Sequence, residues 1–259
     1  MSLNPRIHSW QNRRIWIIGA SSGIGHALAS QLLQMGAQVA LSSRNPGKLQ
    51  SMADLWPQKT LVLPFDVKDV AGWENAYTQL KEKWDWLDHI ILCAADYAPV
   101  RAASITADNV RSMMDTNVIG IMTGVAVVLP DFLKTVNGGA ISIVASVAGY
   151  TGLPKALVYG PTKAALINFT ESLYLDVHAQ GLTVHLINPG FVNTPLTQKN
   201  DFHMPALITP ETAAQHIVAG MEKGDFEIHF PRRFTLWLKL LRQLPYCLRF
   251  HLLRNMAHS

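Results

Sequence analysis

Between Arg13 and Gly36 an apolar run, a glycine cluster and an amphipathic segment follow one another directly, and few folds accept that succession. Arg-Arg-Ile-Trp-Ile-Ile, ending at Ile18, reads as a buried strand. Gly19-Ala-Ser-Ser-Gly23-Ile-Gly25 comes next. Ile24, Leu28, Leu32 and Met35 then recur at helical spacing until Gly36 stops the helix. In such a strand–turn–helix the glycines let the backbone approach a pyrophosphate, and the helix start offers it unpaired amides and partial positive charge. Gly19, Ser21, Ser22, Gly23, Ile24 and Gly25 are therefore candidate cofactor-binding residues. A glycine-rich turn with no ligand would share the pattern.

Strands and helices alternate along the rest of the chain. Strands are expected at Gln38–Ser42, Thr60–Leu63, Leu87–Ala94, Gly139–Val144, Thr183–Asn188 and Glu227–Phe230. Helices are expected at Pro46–Leu55, Val70–Trp84, Thr106–Leu129, Tyr159–Ala179 and Thr209–Lys223. The aromatics Trp73, Tyr77 and Trp84 sit at helical spacing and are read as packing residues. No linker or low-complexity stretch interrupts the alternation. The fold class is thus α/β: a single doubly wound Rossmann-type domain over residues 1–230, with a central parallel sheet of about seven strands and helices on both faces.

The ends of these strands carry the remaining candidates. After Ser42 the chain has Ser43 and Arg44 where an acid would accept hydrogen bonds from the ribose 2′-OH of NAD. An arginine grips a 2′-phosphate instead, so NADP(H) is preferred over NAD; a solvated loop arginine is the plainer alternative. Asp66 and Val67 follow a strand end, within reach of an adenine amine. Ser146 follows the Gly139–Val144 strand, at the edge where ligands collect in parallel sheets. Tyr159 and Lys163 lie one turn apart on one helix face. An ammonium beside a phenol favours the phenolate, which lowers the tyrosine pKa and lets it exchange a proton with a carbonyl oxygen near neutral pH. Taken alone that spacing is common, and fits an exposed lysine packed over an aromatic.

In their joint order these elements resemble the short-chain dehydrogenase/reductase family: the Gly19, Gly23, Gly25 turn, Asp66, Asn117 with Gly120, Ser146, Tyr159 with Lys163, and Asn188-Pro189-Gly190 with Thr194. The resemblance covers roughly Arg13 to Phe230. Two departures stand out: Ile18 replaces the threonine that opens the family's glycine motif, and Cys93-Ala94-Ala95-Asp96 replaces its Asn-Asn-Ala-Gly. The resemblance implies an NADP(H)-dependent oxidoreductase acting on a carbonyl or secondary alcohol. It makes Tyr159 the general acid/base and Lys163 the residue that lowers its pKa and holds the nicotinamide ribose. Ser146 would bond the substrate oxygen, and Asn117 would hold a water linking Lys163 to solvent. Ala94, Pro189, Gly190, Val192 and Thr194 join the cofactor-binding set, Val192 and Thr194 orienting the carboxamide. A homodimer or homotetramer joined through the Thr106–Leu129 and Tyr159–Ala179 helices is implied too. A nucleotide-sensing or membrane-surface scaffold that kept this fold without turnover is the alternative, and the intact set Asn117, Ser146, Tyr159 and Lys163 speaks against it.

The substrate is expected between the loop after Ser146 and the segment after Thr194, among Tyr150, Leu153, Leu196, Phe202, Met204 and Leu207. Most are apolar, so a lipophilic or aromatic ketone or alcohol is expected. The two cysteines, Cys93 and Cys247, make no disulfide framework or zinc spacing, and the ten histidines show no metal-binding pair. Cys93 is read as a small core residue. Met1 to Arg14 has no apolar core, and no run approaches the ~18 consecutive apolar residues of a membrane span, so a cytoplasmic protein is expected. The net charge of +4 is uneven. Residues 231–259 hold six basic residues (Arg232, Arg233, Lys239, Arg242, Arg249, Arg254) and no acid, leaving the body at −2. A nucleic-acid-binding face on the body is thereby disfavoured. Within this tail Phe234, Trp237, Leu238 and Leu241 share one helical face, Pro245 interrupts, and Leu248, Phe250, Leu252 and Leu253 resume. Such a basic amphipathic helix suits a membrane surface, a lid over the substrate cleft, or a subunit contact.

Overall fold

The central strands are apolar on both faces because helices cover both, and this sets the architecture. A computed structural model describes residues 2–135, 138–202 and 204–257, the side chains only as far as Leu253. It contains seven parallel strands: β1 (Arg14–Ile18), β2 (Gln38–Ser42), β3 (Thr60–Val62), β4 (His89–Leu92), β5 (Ala140–Val144), β6 (Thr183–Pro189) and β7 (Glu227–Phe230). Their order across the sheet is β3-β2-β1-β4-β5-β6-β7, with Ile18 paired to Ser42 on one side and Leu92 on the other. The direction of winding reverses beside β1, and there the C-terminal strand ends open a crevice. Helices α1 (Gly23–Gln34), α2 (Pro46–Leu55) and α7 (Pro210–Lys223) belong to one face. On the other lie α3 (Val70–Lys83), α5 (Gly120–Phe132) and α6 (Tyr159–Val177), with α4 (Ala107–Met114) leading into α5 and packing beside α6.

The stretch read as one helix over Thr106–Leu129 is continuous but interrupted by a π turn at Asp115–Ile119, which widens the helix around Asn117. Thr106 caps its start, accepting from Asn109 N at 3.2 Å. Ala107–Phe132 has the length and average composition of a membrane span, although its apolar residues are not consecutive. It is a core helix here: a Cβ on Gly124 would lie 2.4 Å from the Trp73 ring, and Val125, Val128 and Phe132 are buried against the sheet.

The polar N-terminal lead-in closes the opposite end of the sheet. Ile7 and Trp10 are buried, Trp10 donates to Glu222 at 2.9 Å, and Asn4 donates to the Val184 carbonyl at 2.8 Å. Beneath them three central strands carry a buried polar row. His89 on β4 bonds Ser142 on β5 at 2.8 Å, and His185 on β6 contacts the Asp225 carbonyl at 2.6 Å. A carbonyl only accepts, so His185 Nδ1 carries the proton and its Nε2 is bare. Burial, the largest influence, pushes the His185 pKa down to about 4 and lowers that of His89 as well.

The unfolded histidines take up protons as pH falls below ~6.5, and the folded ones resist until about pH 4 for His185. Stability is therefore complete above that window and lost on acidification through it, by about 3 kcal/mol from His185 alone. Urea denaturation of the wild type and of His185→Asn should show a steep loss between neutral and mildly acid pH in the former and a shallower one in the latter. Identical slopes would contradict this account.

Candidate active site

The crevice above β1 and β4 encloses about 730 Å³. Its floor is made by backbones that meet without side chains between them. Gly19, at φ +92°, leaves β1 so close to β4 that a Cβ would lie 2.7 Å from Ala94 N. A Cβ on Gly25 would lie 2.3 Å from the Gly19 carbonyl oxygen, which is how α1 starts against the strand end. Gly23, at φ +56°, faces Thr194 across the crevice. Ser22 is the N-cap of α1, but its side chain makes no cap hydrogen bond and the first turn has no acid. The amides of that turn and the positive end of the helix dipole are thus directed at the crevice.

Every residue assigned to the cofactor from sequence lines this crevice: Gly19, Ser21, Ser22, Gly23, Ile24, Gly25, Ser43, Arg44, Asp66, Val67, Ala94, Tyr159, Lys163, Pro189, Gly190, Val192 and Thr194. Ser146 lines it as well. Arg44 is exposed at the rim and makes no ion pair among the described residues. Cys93, read as a core residue, also reaches the crevice. Burial pushes its thiol up to about 11 against a smaller opposing pull from Lys163.

At the inner end, β5 supplies Ser146 just past its last residue, and α6 supplies Tyr159 and Lys163 in its first two turns. Lys163 is 1% exposed; its Nζ donates to the Val144 carbonyl at 2.9 Å and lies 5.6 Å from the Tyr159 ring centre. That bond ties α6 to the end of β5 and brings the three side chains together. Ser146 Oγ accepts from Ala148 N at 3.1 Å and bonds the Tyr159 oxygen.

The expected acidification of Tyr159 by Lys163 is not what the structure holds. Burial is the largest influence on the phenol and raises its pKa above the ordinary value of 10, although the bond from Ser146 pulls the other way. Burial likewise lowers Lys163, to about 8. Desolvation disfavours both charges, and the amine spends its bond on a carbonyl rather than on the phenol.

Asn117 is buried outside the crevice lining. Its Oδ1 accepts from Asp96 N at 2.6 Å, and its Nδ2 donates to the Asp96 carbonyl at 2.9 Å and to Thr162 Oγ1 at 3.1 Å. With these donors committed it pins the segment after β4 to α6, and no described contact joins it to Lys163. Asp96, which departs from the family pattern, has its carboxylate occupied by Tyr97 N at 2.8 Å and Ser112 at 3.3 Å, with Lys199 at 4.0 Å.

A second cavity of about 180 Å³ opens beside Ser146 and Tyr159. Leu153, Leu196 and Phe202 line it as expected, but Tyr150, Met204 and Leu207 do not. Tyr150 turns inward and donates to Glu227 at 2.5 Å; Met204 Sδ accepts from Asn200; Leu207 is exposed. The residues that sequence reasoning missed are Tyr97, edge-on to Tyr159 at 4.9 Å, and Phe191; Phe234, Leu238 and Leu253 of the tail also line it, as the reading of a lid over the substrate cleft expects.

The tail forms α8 (Arg232–Gln243) and α9 (Tyr246–Ala257). The inner side of α8 enters the core through Thr235, Leu238 and Leu241, and Lys239 pairs with Glu227. Arg254, counted among the basic residues, has its side chain outside the described residues. No cluster of His, Cys, Asp and Glu among the described residues could hold a metal ion.

The family model described as short chain dehydrogenase matches residues 13–204. The chain belongs to the short-chain dehydrogenase/reductase family of oxidoreductases. A Myxococcus xanthus relative named "Uncharacterized oxidoreductase" is 30% identical over 236 residues, 90% of this chain and 93% of its own. A Staphylococcus epidermidis relative, also named an uncharacterized oxidoreductase, is 33% identical over 205 residues, covering 78% of this chain and 87% of its own. Two solved short-chain dehydrogenases share the fold. One, from Burkholderia phymatum in complex with NAD, has a TM-score of 0.84 at 20% identity and covers 92% and 95% of the two chains. The other, from Burkholderia cenocepacia in complex with NADP, has 0.83 at 21% and covers 95% and 99%.

Asn117→Ala should leave the Asp96 amide and carbonyl without buried partners. A loss of about 3 kcal/mol is expected by chemical denaturation, with a far smaller loss for Asn109→Ala on the exposed start of α4. Equal losses would remove the pinning role.

Proposed function

We propose that this short-chain dehydrogenase/reductase transfers a hydride between NADP(H) and a carbonyl or secondary alcohol of a lipophilic small molecule. The observation that carries the reading is the meeting of Ser146, Tyr159 and buried Lys163 where the glycine-floored crevice joins an apolar cavity. The glycine floor and the uncapped start of α1 suit a pyrophosphate, and Asp66 and Val67 suit the adenine. Arg44, with no acid beside it, suits a 2′-phosphate. The nicotinamide, when bound, supplies or accepts the hydride. The Ser146 hydroxyl, which favours the ionised form of Tyr159, would turn its proton to the substrate oxygen while its own oxygen still accepts from Ala148 N. Tyr159 holds the proton that this oxygen gains in reduction. The working enzyme is taken to be a cytoplasmic homodimer or homotetramer, for which exposed Ile119 and Leu175 on the helices beside the sheet offer apolar contacts.

Arg44→Ala should weaken NADPH binding by roughly tenfold to a hundredfold, the worth of charge-assisted bonds to a phosphate. NADH binding should hardly change. Nucleotide fluorescence titrations read both, and equal weakening of the two would refute the NADP preference.

Tyr159→Phe should retain NADPH binding but lose carbonyl reduction by several orders of magnitude, roughly the worth of a positioned acid. The raised Tyr159 pKa keeps the phenol protonated through the neutral range, so reduction should be flat with pH until Lys163 loses its proton near about 8 and should then fall. Alcohol oxidation, which needs the phenolate, should rise with pH instead. A reduction rate that climbs from neutral to alkaline pH would contradict this assignment.

A further inference from the structure

Helix α8 is apolar on two sides. One side, with Thr235, Leu238 and Leu241, is spent on the core. On the other, Leu236 is 54% and Leu240 66% exposed, and Trp237 lies beside them in solvent. Helix α9 adds two exposed apolar pairs on opposite sides, Tyr246 with Phe250 and Leu248 with Leu252, while only Leu253 among its described side chains is buried. So many exposed large apolar side chains on two successive helices mark a contact site.

Its charge setting selects the partner. No acidic residue occurs in the chain after Glu227. Arg232, Arg233 and Arg242 are exposed and make no ion pair among the described residues, whereas Lys239 is taken by Glu227. Arg249 lies over the Tyr246 ring at 4.3 Å. Leucines and aromatics rimmed by unpaired arginines, on two helices joined at Pro245, complement an anionic lipid surface: the side chains enter the acyl boundary and the guanidinium groups meet phosphates. A neutral protein face would leave the arginines without counter-charges.

We propose that the outer faces of α8 and α9 dock this protein on an anionic bilayer. The inner faces of the same helices supply Phe234, Leu238 and Leu253 to the cavity beside Tyr159. Docking therefore sets that cavity roughly one helix diameter, ~10 Å, from the lipid, where a lipophilic substrate is concentrated. That last step rests on the reductase reading; the docking itself does not.

Vesicle flotation of the full chain tests it, with phosphatidylcholine alone and with phosphatidylcholine containing phosphatidylglycerol. The wild type should float with the anionic vesicles roughly a hundredfold more than with the neutral ones, and less at high salt. Leu236→Glu with Leu240→Glu should abolish flotation. Arg232→Gln, Arg233→Gln and Arg242→Gln together should remove the anionic preference. All these positions are exposed, so circular dichroism and thermal melting should be unchanged. If the glutamate pair does not fold, the glutamine triple decides. A wild type that floats with neither vesicle overturns the proposal, as do variants that float like the wild type. So does sedimentation showing that the glutamate pair dissociates a dimer while wild-type flotation is absent, since a second copy would then be the partner.

Discussion

Backbone meeting backbone at the ends of β1 and β4 is the constraint on which the remaining structure depends. Gly19 leaves β1 against Ala94, and Gly25 packs the first turn of α1 against the Gly19 carbonyl; at neither place is there room for a Cβ. That contact fixes where α1 begins and leaves its first-turn amides facing the crevice. It also lets β1 lie between β2 and β4 at the point where the winding reverses. A side chain at either glycine would separate the elements whose junction is the site.

Above that floor Ser146, Tyr159 and Lys163 are brought together by one buried bond. Lys163 on α6 reaches the last carbonyl of β5, so the helix carrying Tyr159 is held over the strand end that carries Ser146. Burial sets the protonation of all three partners in this corner. It raises the phenol and the Cys93 thiol, keeping both neutral, and lowers the amine only to about 8, so Lys163 still carries its proton at neutral pH. Asn117 supports the arrangement from behind, through Asp96 and Thr162. It is a strut for the crevice wall, positioned by the π turn that breaks the helical ladder around it.

The C-terminal helices join the corner of Ser146, Tyr159 and Lys163 to the outside. Glu227 on β7 accepts from Tyr150 and Asn188 and pairs with Lys239 of α8, so one carboxylate gathers the loop after Ser146, the sheet edge and the tail. Burial alone would raise its pKa, but these bonds together hold it below the ordinary carboxylate value. The helix fixed in this way serves two surfaces, one lining the cavity and one left apolar in solvent.

Periodicity and turn chemistry in the chain were enough to place all seven strands and the helices before the tail to within a few residues, because apolar spacing and glycine or proline boundaries are local properties. The order of motifs was enough to name the crevice residues, since in a doubly wound sheet the strand ends converge on one edge. Three things were decided only by folding. Desolvation, which depends on what packs around a group, reversed the expected shift of Tyr159. The role of Asn117 depends on Asp96 and Thr162, distant in sequence. The tail's contribution to the cavity wall depends on α8 crossing back over Gly190, whose missing side chain leaves space for Phe234. Short-range pattern carries the elements and their alternation; burial and long-range contact decide what charge each group holds and which surface each helix shows.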